Sequence, residues 1–328
     1  MIQVRDLKVD YGDHVAVDGL TFQVERGEVY GLIGPNGAGK TTTIRAIATL
    51  LEPTYGEIQL GEVSVLHEPE EARGLLGYMP DFPPVYDDLR VDEFVELFAA
   101  AYDVPEDERA AEVERCLRAT DLADKREAFC KTLSRGMKQR ALLAKTLVHD
   151  PPVLLLDEPA ANLDPKARID LRNLLRRLAD EGKAILVSSH VLTELQDLCD
   201  SIGIMRDGKM AVDGRLEEVV KRGSSNQTLR IELLRPHPKA LAQLAEHPIV
   251  DLPADLENQT TSITAGFRGD DEEAAALLRV LVEQGAPVKS FHEEKADVED
   301  LFLAVEAGEN PPAPNPAGQA DLPPPPST

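Results

Sequence analysis

A glycine-rich stretch near the N-terminus has the residue types and the spacing of a phosphate-binding loop. GPNGAGKT at 34–41 fits the pattern GxxxxGK[ST] and lies between the strand-like VYGLI and the helix-like TTTIRAIATLL. Glycines let backbone N–H groups close around a β-phosphate, and the helix that follows presents its positive end to the anion. This context disfavours a chance match in a glycine-rich turn. The predicted nucleotide-binding residues of the loop are Gly34, Asn36, Gly37, Gly39, Lys40, Thr41 and Thr42.

The chemistry that such a loop serves needs a metal ion and an activated water. Lys40 is expected to reach the β- and γ-phosphates, and the Thr41 hydroxyl to ligate Mg²⁺. A second apolar run, VLLLDEP at 153–159, ends in an acidic pair. Asp157 is expected on the Mg²⁺ side of the site, where it would contact the ion through a water. Glu158 would orient or deprotonate the attacking water. The absence of HRD, DFG and NKxD motifs from the sequence disfavours kinases and GTPases.

The strands and helices predicted around these residues indicate an α/β fold. VYGLIG at 29–34, PVLLLDEP at 152–159 and AILVSS at 184–189 are apolar runs typical of buried parallel strands. Between the first two, VDEFVELFAAAY and RAAEVERCLRATDL repeat apolar residues every three or four positions, which predicts helices. We therefore expect a helical subdomain, at about 82–147, inserted into a parallel-sheet core that extends to about residue 222.

The remainder of the chain differs in character. A linker is expected at 223–226, and strand-like TLRIELL and helix-like DDEEAAALLRVLVEQG predict a small α+β domain over 227–306. The final stretch, 307–328, is rich in proline and is expected to be disordered.

Composition and charge disfavour several classes of protein. The 328 residues carry a formal net charge of −24, which disfavours a non-specific nucleic-acid binder. Three widely spaced cysteines without a CxxC pair indicate a reducing compartment. The N-terminal stretch has no apolar segment typical of a signal peptide, and no apolar run approaches the ~20 residues of a membrane span. If the protein works at a membrane, we expect another chain to cross it.

Further motifs resemble those of ATP-binding cassette (ABC) proteins. LSRGMKQR at 133–140 is similar to the LSGGQ signature, and ANLDP at 161–165 looks like the D-loop of that family. His190 stands where the family has its switch histidine, and Tyr11 where an aromatic residue stacks on adenine. The resemblance covers residues 2 to about 215 and identifies the chain as a P-loop NTPase of the ABC type.

The resemblance implies a head-to-tail dimer with two ATP molecules between the subunits. Each ATP would be held by the phosphate loop and Asp157 of one chain, while Ser134 and Gly136 of the other chain would cap its γ-phosphate. The start of a helix after a serine suits an anion, since it offers a hydroxyl and backbone N–H groups. His190 would hydrogen-bond the γ-phosphate and hold the attacking water together with Glu158.

Two motifs depart from the family pattern. Asp81 replaces the usual glutamine, a residue that touches Mg²⁺ and the attacking water, and Arg135 and Met137 replace residues of the signature. A carboxylate at about 4 Å from a phosphate costs about 4 kcal/mol of repulsion at intermediate dielectric. Mg²⁺ can cancel this repulsion because carboxylates ligate it well. Asp81 is therefore expected to act in catalysis and as a Mg²⁺ ligand; alternatively, it points to solvent. Because Lys40 and the Asp157–Glu158 pair are intact, we expect an active site.

Several stretches are similar to the exporter branch of the family. They are GMKQR, SSHVLTELQDLCDSIGIMRDGKM and, at 296–305, ADVEDLFLAV. In this branch a separately encoded permease crosses the membrane and the ATPase docks on its cytoplasmic face. Two alternatives remain open: a soluble ABC ATPase acting on nucleic acid or ribosomes, and an ATP-gated binding module with little turnover. The single cassette without coiled-coil heptads or CxxC disfavours the first, and only Asp81 and Arg135 favour the second.

Overall fold

The computed structural model describes residues 1–81, 85–161, 163–191, 195–223, 227–252, 260–267 and 269–294. The chain divides into two compact units, of which the first contains Met1–Leu216 and the second begins at Glu217. The boundary expected at about 222 falls within the second of these units. Of the linker expected at 223–226, Gly223 is the last residue of a helix, whereas 224–226 lie outside the described residues, as do the segment 296–305 and the tail 307–328.

The first unit alternates strands and helices. Its elements are β1 (Ile2–Asp10), β2 (Val15–Val24), β3 (Val29–Ile33), α1 (Lys40–Ile47), β4 (Tyr55–Leu60), β5 (Val63–Ser64), α2 (Pro69–Leu75), β6 (Leu76–Met79), α3 (Val91–Ala101), α4 (Glu106–Ala119), α5 (Arg135–Thr146), β7 (Val153–Leu156), α6 (Pro165–Asp180), β8 (Ala184–Ser189), β9 (Ser201–Arg206) and β10 (Lys209–Arg215). Two short 3₁₀ helices, Ala123–Lys125 and Cys130–Thr132, lie between α4 and α5.

The central sheet of this unit positions the predicted site. Its strands run in the order β10-β9-β3-β8-β7-β6, with parallel pairing from β9 to β6. Every residue of β3, β7 and β8 is buried, as expected for parallel strands covered on both faces. The carboxyl ends of neighbouring parallel strands meet at one edge of a sheet. The phosphate loop, the acidic pair and His190 follow β3, β7 and β8, so all three are brought to that edge.

A second, antiparallel sheet lies at the N-terminus, with the strand order β2-β1-β4-β5. Alternate residues of β1 are buried, and its side chains Ile2, Val4 and Leu7 share one apolar core with α1 and the parallel sheet. The turn between β1 and β2 carries Tyr11. The apolar runs used above did not indicate this sheet, because strands covered on one face alternate polar and apolar residues.

The inserted helices stand between β6 and β7 in the chain, as the spacing of apolar residues predicts. The buried side chains of α3 and α4 include Phe94, Val95, Val113 and Leu117. Helix α5 begins at the signature residues and buries Leu142 and Leu143.

The second unit is a small α+β structure. It contains α7 (Leu216–Gly223) apart from the first residue of that helix, β11 (Gln227–Leu233), α8 (Pro238–Glu246), β12 (Val250–Asp251), β13 (Ser262–Phe267), α9 (Asp271–Glu283) and β14 (Val288–Glu294). The antiparallel strands lie in the order β12-β13-β11-β14, and side chains of α8 and α9 complete its apolar core. Helix α9 lies in the helix-like stretch DDEEAAALLRVLVEQG and begins with a capping box between Asp270 and Glu273.

Candidate active site

The phosphate loop closes tightly onto the strands around it. Gly39 caps α1 with φ 104° and contributes no side-chain hydrogen bond, so the first N–H groups of the helix remain available to an anion. A Cβ on Gly39 would lie 2.5 Å from the carbonyl oxygen of Ala16, and one on Gly34 would lie 2.4 Å from that of Met205. These glycines are therefore required by the packing of the loop as well as by the approach of a phosphate.

Lys40 is a buried cation at the base of this loop. Its Nζ donates to the carbonyl oxygens of Gly34 at 2.6 Å and of Pro35 at 3.3 Å, and lies 3.7 Å from Oε1 of Glu158. Burial lowers the pKa of the ammonium group, and the negative charges of Glu158 and Asp157 oppose this shift. An ammonium group that is taken out of water and faces the loop favours a strongly anionic ligand such as a polyphosphate.

Asp157 lies directly after β7 and is almost completely buried. Its Oδ1 accepts hydrogen bonds from the hydroxyls of Thr41, at 3.2 Å, and Ser188, at 2.6 Å. The backbone N–H of Asp157 donates to the carbonyl of Met79, which continues the pairing with β6. The structure thus brings Thr41 and Asp157 together, as the two motifs predict.

Glu158 has a backbone conformation that is unusual for its residue type. Its φ of 49° lies in the left-handed region, which costs a residue with a Cβ roughly 1–2 kcal/mol. The backbone N–H donates to the hydroxyl of Ser188 at 3.0 Å. The carboxylate faces Lys40 on one side and receives a hydrogen bond from Nδ1 of His190, at 2.8 Å, on the other. Such local strain persists where the surroundings hold it, and it is typical of active sites.

Asp81 follows β6 and lines the same cleft. Partial burial raises the pKa of its carboxyl group, as do the negative charges of Asp157 and Glu158, while Arg135 and His190 act in the opposite direction. The three carboxylates therefore repel one another, and a cation among them would relieve this repulsion. Asp81 is exposed, so its roles in catalysis and as a Mg²⁺ ligand stay predictions, and the alternative that it points to solvent stays open.

The donor set fits Mg²⁺. The Thr41 hydroxyl and the carboxylates are hard oxygen ligands, which Mg²⁺ prefers. Among the described residues, no group of three or more His, Cys, Asp or Glu side chains could hold a metal ion by itself. This agrees with an ion that one or two carboxylates hold together with substrate phosphates and water.

The cleft has a volume of about 460 Å³, within the range of small-molecule sites. Tyr11 and His14, from the turn between β1 and β2, line the cleft. The N–H of Tyr11 donates to the carbonyl of His14 at 3.0 Å. This turn brings both rings to the cleft. Described residues that line it include Asn36, Gly37, Gly39, Lys40, Thr41, Thr42, Asp81, Glu158 and His190.

The signature residues occupy a different place. Among the described residues, neither Ser134 nor Gly136 belongs to the lining of the cleft. Ser134 caps α5 by accepting a hydrogen bond from the N–H of Met137, and it is exposed. Gly136 packs against α6, since a Cβ added to it would lie 3.1 Å from that of Ala167.

Three residues of the site escaped the motif-based prediction. Ser188 contacts both members of the acidic pair, His14 lines the cleft, and Nε2 of Gln139 donates to the carbonyl of Pro159 at 2.7 Å. The contacts of Ser188 depend on strand register, and the contact of Gln139 depends on helix packing. The spacing of motifs along the sequence predicts neither contact. His14 could have been predicted from the sequence, because it is an aromatic ring three positions after Tyr11 and a turn at Gly12 separates the two.

Comparison with known proteins agrees with this geometry. The family model described as ABC transporter matches residues 17–161, and one described as an AAA domain matches residues 130–195. The Nod factor export ATP-binding protein I of Burkholderia orbicola is 33% identical over 93% of this chain and 96% of its own length. The chain belongs to the family of ABC transporter ATP-binding proteins.

Solved structures confirm the fold of this ABC ATPase. An ATP-binding subunit of an ABC transporter is 33% identical, with a TM-score of 0.61 over 68% of this chain and 92% of that one. A dimeric bacterial ABC transporter cassette is 26% identical, with a TM-score of 0.59 over 66% of this chain and 99% of that one. A cassette with ADP and inorganic phosphate bound has been solved in a dimeric post-hydrolysis state. The predicted P-loop cassette fold and ATP hydrolase activity are confirmed, and cassettes related to this chain form dimers.

Proposed function

We propose that this ABC ATPase hydrolyses ATP between two head-to-tail copies of the chain and thereby drives a separately encoded permease that exports its cargo. The observation that carries the proposal is the convergence of Lys40, Glu158 and His190 on one cleft, while the exposed start of α5 lies outside the lining of that cleft. A phosphate bound in the cleft would thus need a second copy to supply the signature residues.

Each side chain of the cleft has a role that its contacts support. Lys40 and the N–H groups at the start of α1 bind the β- and γ-phosphates, and Tyr11 stacks on the base. The oxygen of a water attacks the γ-phosphorus, its proton passes to the Glu158 carboxylate, and the bond to the β,γ-bridging oxygen breaks. His190, held by Glu158 at 2.8 Å, donates to the γ-phosphate. Thr41, Asp157 and Asp81 would hold Mg²⁺, which when bound neutralises phosphate charge.

The signature helix supports the assignment of the dimer. Helix α5 has no acidic residue in its first turn, so its positive end is not neutralised there. Ser134 accepts a hydrogen bond from Met137, which leaves its hydroxyl hydrogen available for a phosphate oxygen. Gly136, two residues after Ser134, is partly exposed although it packs against α6, and it has no side chain to stand between its backbone and a phosphate. These features suit the γ-phosphate of a second copy.

The exporter assignment is supported by the relatives. The matched Burkholderia protein is named for Nod factor export, and it spans nearly the whole of this chain. Of the helices in the described ranges, none is both long and apolar enough to cross a membrane. We therefore assign the membrane crossing to a permease and place the ATPase on its cytoplasmic face. We assign residues 1–222 to ATP binding and 227–306 to an accessory domain.

A pull-down tests this proposal. Tagged Glu158→Gln protein, with ATP and Mg²⁺, is isolated from gently solubilised native membranes, and an untagged preparation serves as the control. We expect one polytopic membrane protein in near-equal amount, and faster ATP hydrolysis when wild-type protein is added to that partner. Ribosomes or DNA-bound proteins in its place would contradict the export assignment and favour a soluble ABC ATPase.

A further inference from the structure

Ser188 makes two hydrogen bonds to consecutive acidic residues of the site. Its side chain is fully buried in β8. The hydroxyl donates to Oδ1 of Asp157 at 2.6 Å and accepts from the backbone N–H of Glu158 at 3.0 Å. One hydroxyl group therefore fixes the side chain of one residue and the backbone of the next.

The register of the sheet explains this contact. Leu156, the last residue of β7, pairs with Val187 of β8, so Ser188 lies beside Asp157 as β7 ends. On its other side, Ser188 pairs with Leu32 of β3, the strand that leads into the phosphate loop. Ser188 thus stands between the strand of the loop and the strand of the acidic pair.

The hydrogen bond from the Glu158 N–H to Ser188 helps to fix the direction of the Glu158 carboxylate. Glu158 lies beyond the end of β7, and its φ of 49° directs the side chain between Lys40 and His190. A residue in this conformation relaxes readily to negative φ unless its surroundings hold it. The hydrogen bond from its N–H to Ser188 ties this backbone to the buried strand β8.

The bond to Asp157 bears on metal binding. Oδ1 of Asp157 accepts from both Thr41 and Ser188. The Thr41 hydroxyl is also a proposed ligand of Mg²⁺. Ser188 is buried in a strand and is not a proposed ligand, so its hydroxyl can hold Asp157 while the ion is bound. Partners that orient a ligating carboxylate affect metal affinity even though they do not touch the metal.

We infer that Ser188 is a positioning residue for ATP hydrolysis: its hydroxyl aligns Asp157 for the metal ion and Glu158 for the attacking water. This inference rests on the roles proposed above for the acidic pair. Ser201 provides a matched control, because it is also a buried serine in the same sheet whose hydroxyl donates to a carboxylate, that of Glu28, away from the cleft.

The test compares Ser188→Ala, Ser188→Thr and Ser201→Ala. For each variant, kcat and the KM for ATP are measured, and Mn²⁺ binding in the presence of ATP is followed by the spin-resonance signal of the free ion. For Ser188→Ala we expect a fall of about 10- to 100-fold in kcat and of about tenfold in Mn²⁺ affinity, with the KM for ATP within about threefold. Ser188→Thr, which keeps the hydroxyl, should recover most of both, and Ser201→Ala should match wild type.

Unchanged kcat and Mn²⁺ affinity in Ser188→Ala would overturn the inference. So would equal losses in Ser201→Ala, or a threonine variant no better than alanine. If circular dichroism shows that Ser188→Ala is unfolded, Ser188→Cys, of similar size but with weak hydrogen bonding, takes its place with the same expected losses. Normal turnover in Lys40→Ala or Glu158→Gln would instead refute the proposed roles of the site, independently of Ser188.

Discussion

At the scale of single residues, the site is governed by the balance between carboxylates and the cations that face them. Glu158 stands between Lys40 and His190, while Asp81 and Asp157 add negative charge nearby. Lys40 loses hydration through burial and gains the attraction of two carboxylates. A triphosphate with its metal ion adds both signs of charge to this arrangement. In the proposed mechanism, Asp157 and Asp81 hold the metal ion and Glu158 accepts the proton, so each carboxylate would meet a different positive charge.

Replacement of Glu158 by glutamine separates binding from hydrolysis. The amide has nearly the same shape but cannot accept a proton from water, so we expect kcat to fall by about 10²–10⁴-fold, the contribution typical of a general base. Binding of ATP should remain within about threefold of wild type. Phosphate release and binding of a fluorescent ATP analogue measure the two quantities. A variant that retains more than about a tenth of the wild-type kcat would show that Glu158 is not the base.

Replacement of Asp81 by asparagine should stabilise the nucleotide-free protein at neutral pH. The pKa of Asp81 in the folded protein is raised, so the folded state binds the proton more tightly than the unfolded state. Its contribution to stability is therefore complete below the unfolded value, near 3.8, and is lost as the pH rises through the folded value. We expect Asp81→Asn to melt above wild type at pH 7, with a difference that shrinks toward pH 4.

Thermal unfolding over this pH range, without nucleotide, makes the comparison, and Asp13→Asn in the exposed turn after Tyr11 serves as the control. A lower melting temperature for Asp81→Asn at pH 7 would contradict the repulsion described for the three carboxylates.

ATPase activity should persist at least in part in Asp81→Gln, and complete loss would mean that the carboxylate is an essential metal ligand.

At the scale of elements, the sheet decides which residues meet. The apolar runs predicted β3, β7 and β8, and parallel pairing then brings the loop, the acidic pair and His190 to one edge. Motif spacing therefore sufficed to predict that Lys40, Glu158 and His190 lie close together, whereas their catalytic roles stay predictions. It could not reveal Ser188, because that contact depends on the register of β8 against β7, nor the antiparallel N-terminal sheet, whose alternating pattern is weaker than a continuous apolar run. The assignment of Ser134 and Gly136 to a second copy came from resemblance.

Packing of the phosphate loop against β9 gives a prediction about Gly34. A Cβ at this position would lie 2.4 Å from the carbonyl oxygen of Met205, a backbone atom that cannot move without the strand. We expect Gly34→Ala to lower the free energy of unfolding by about 1–3 kcal/mol, as overpacking does. Urea unfolding of the wild-type and Gly34→Ala proteins measures this difference in the free energy of unfolding.

Gly74→Ala is the matched control for this substitution. Gly74 lies in α2, and a Cβ there would meet nothing within 4 Å. Because alanine favours helix more than glycine does, we expect the control to be as stable as wild type or up to about 1 kcal/mol more stable. If both variants had the same free energy of unfolding, the loop would not be packed against Met205 as described.

At the scale of the whole molecule, two strongly acidic chains must approach each other for the proposed dimer to form. Each copy carries a formal net charge of −24, and like charges repel over roughly 10 Å at ~0.1 M salt. Salt screens this repulsion. We therefore expect the ATP-bound Glu158→Gln dimer to dissociate less readily at ~0.3 M than at ~0.05 M salt. Sedimentation at both concentrations measures this, and weaker association at higher salt would instead indicate attraction between complementary charges.

In the proposed dimer, one active site requires two copies of the chain. Light scattering of Glu158→Gln during size exclusion, with and without saturating ATP and Mg²⁺, measures whether ATP brings two copies together. We predict a shift from the 35.8 kDa monomer to twice that mass with ATP. We predict no shift when either Lys40→Ala or Ser134→Arg is added, since the first removes a ligand of the phosphate in one copy and the second blocks the signature of the other. If Glu158→Gln stays monomeric with ATP and Mg²⁺, or dimerises even with Ser134→Arg, the active site is not shared between two copies in this way.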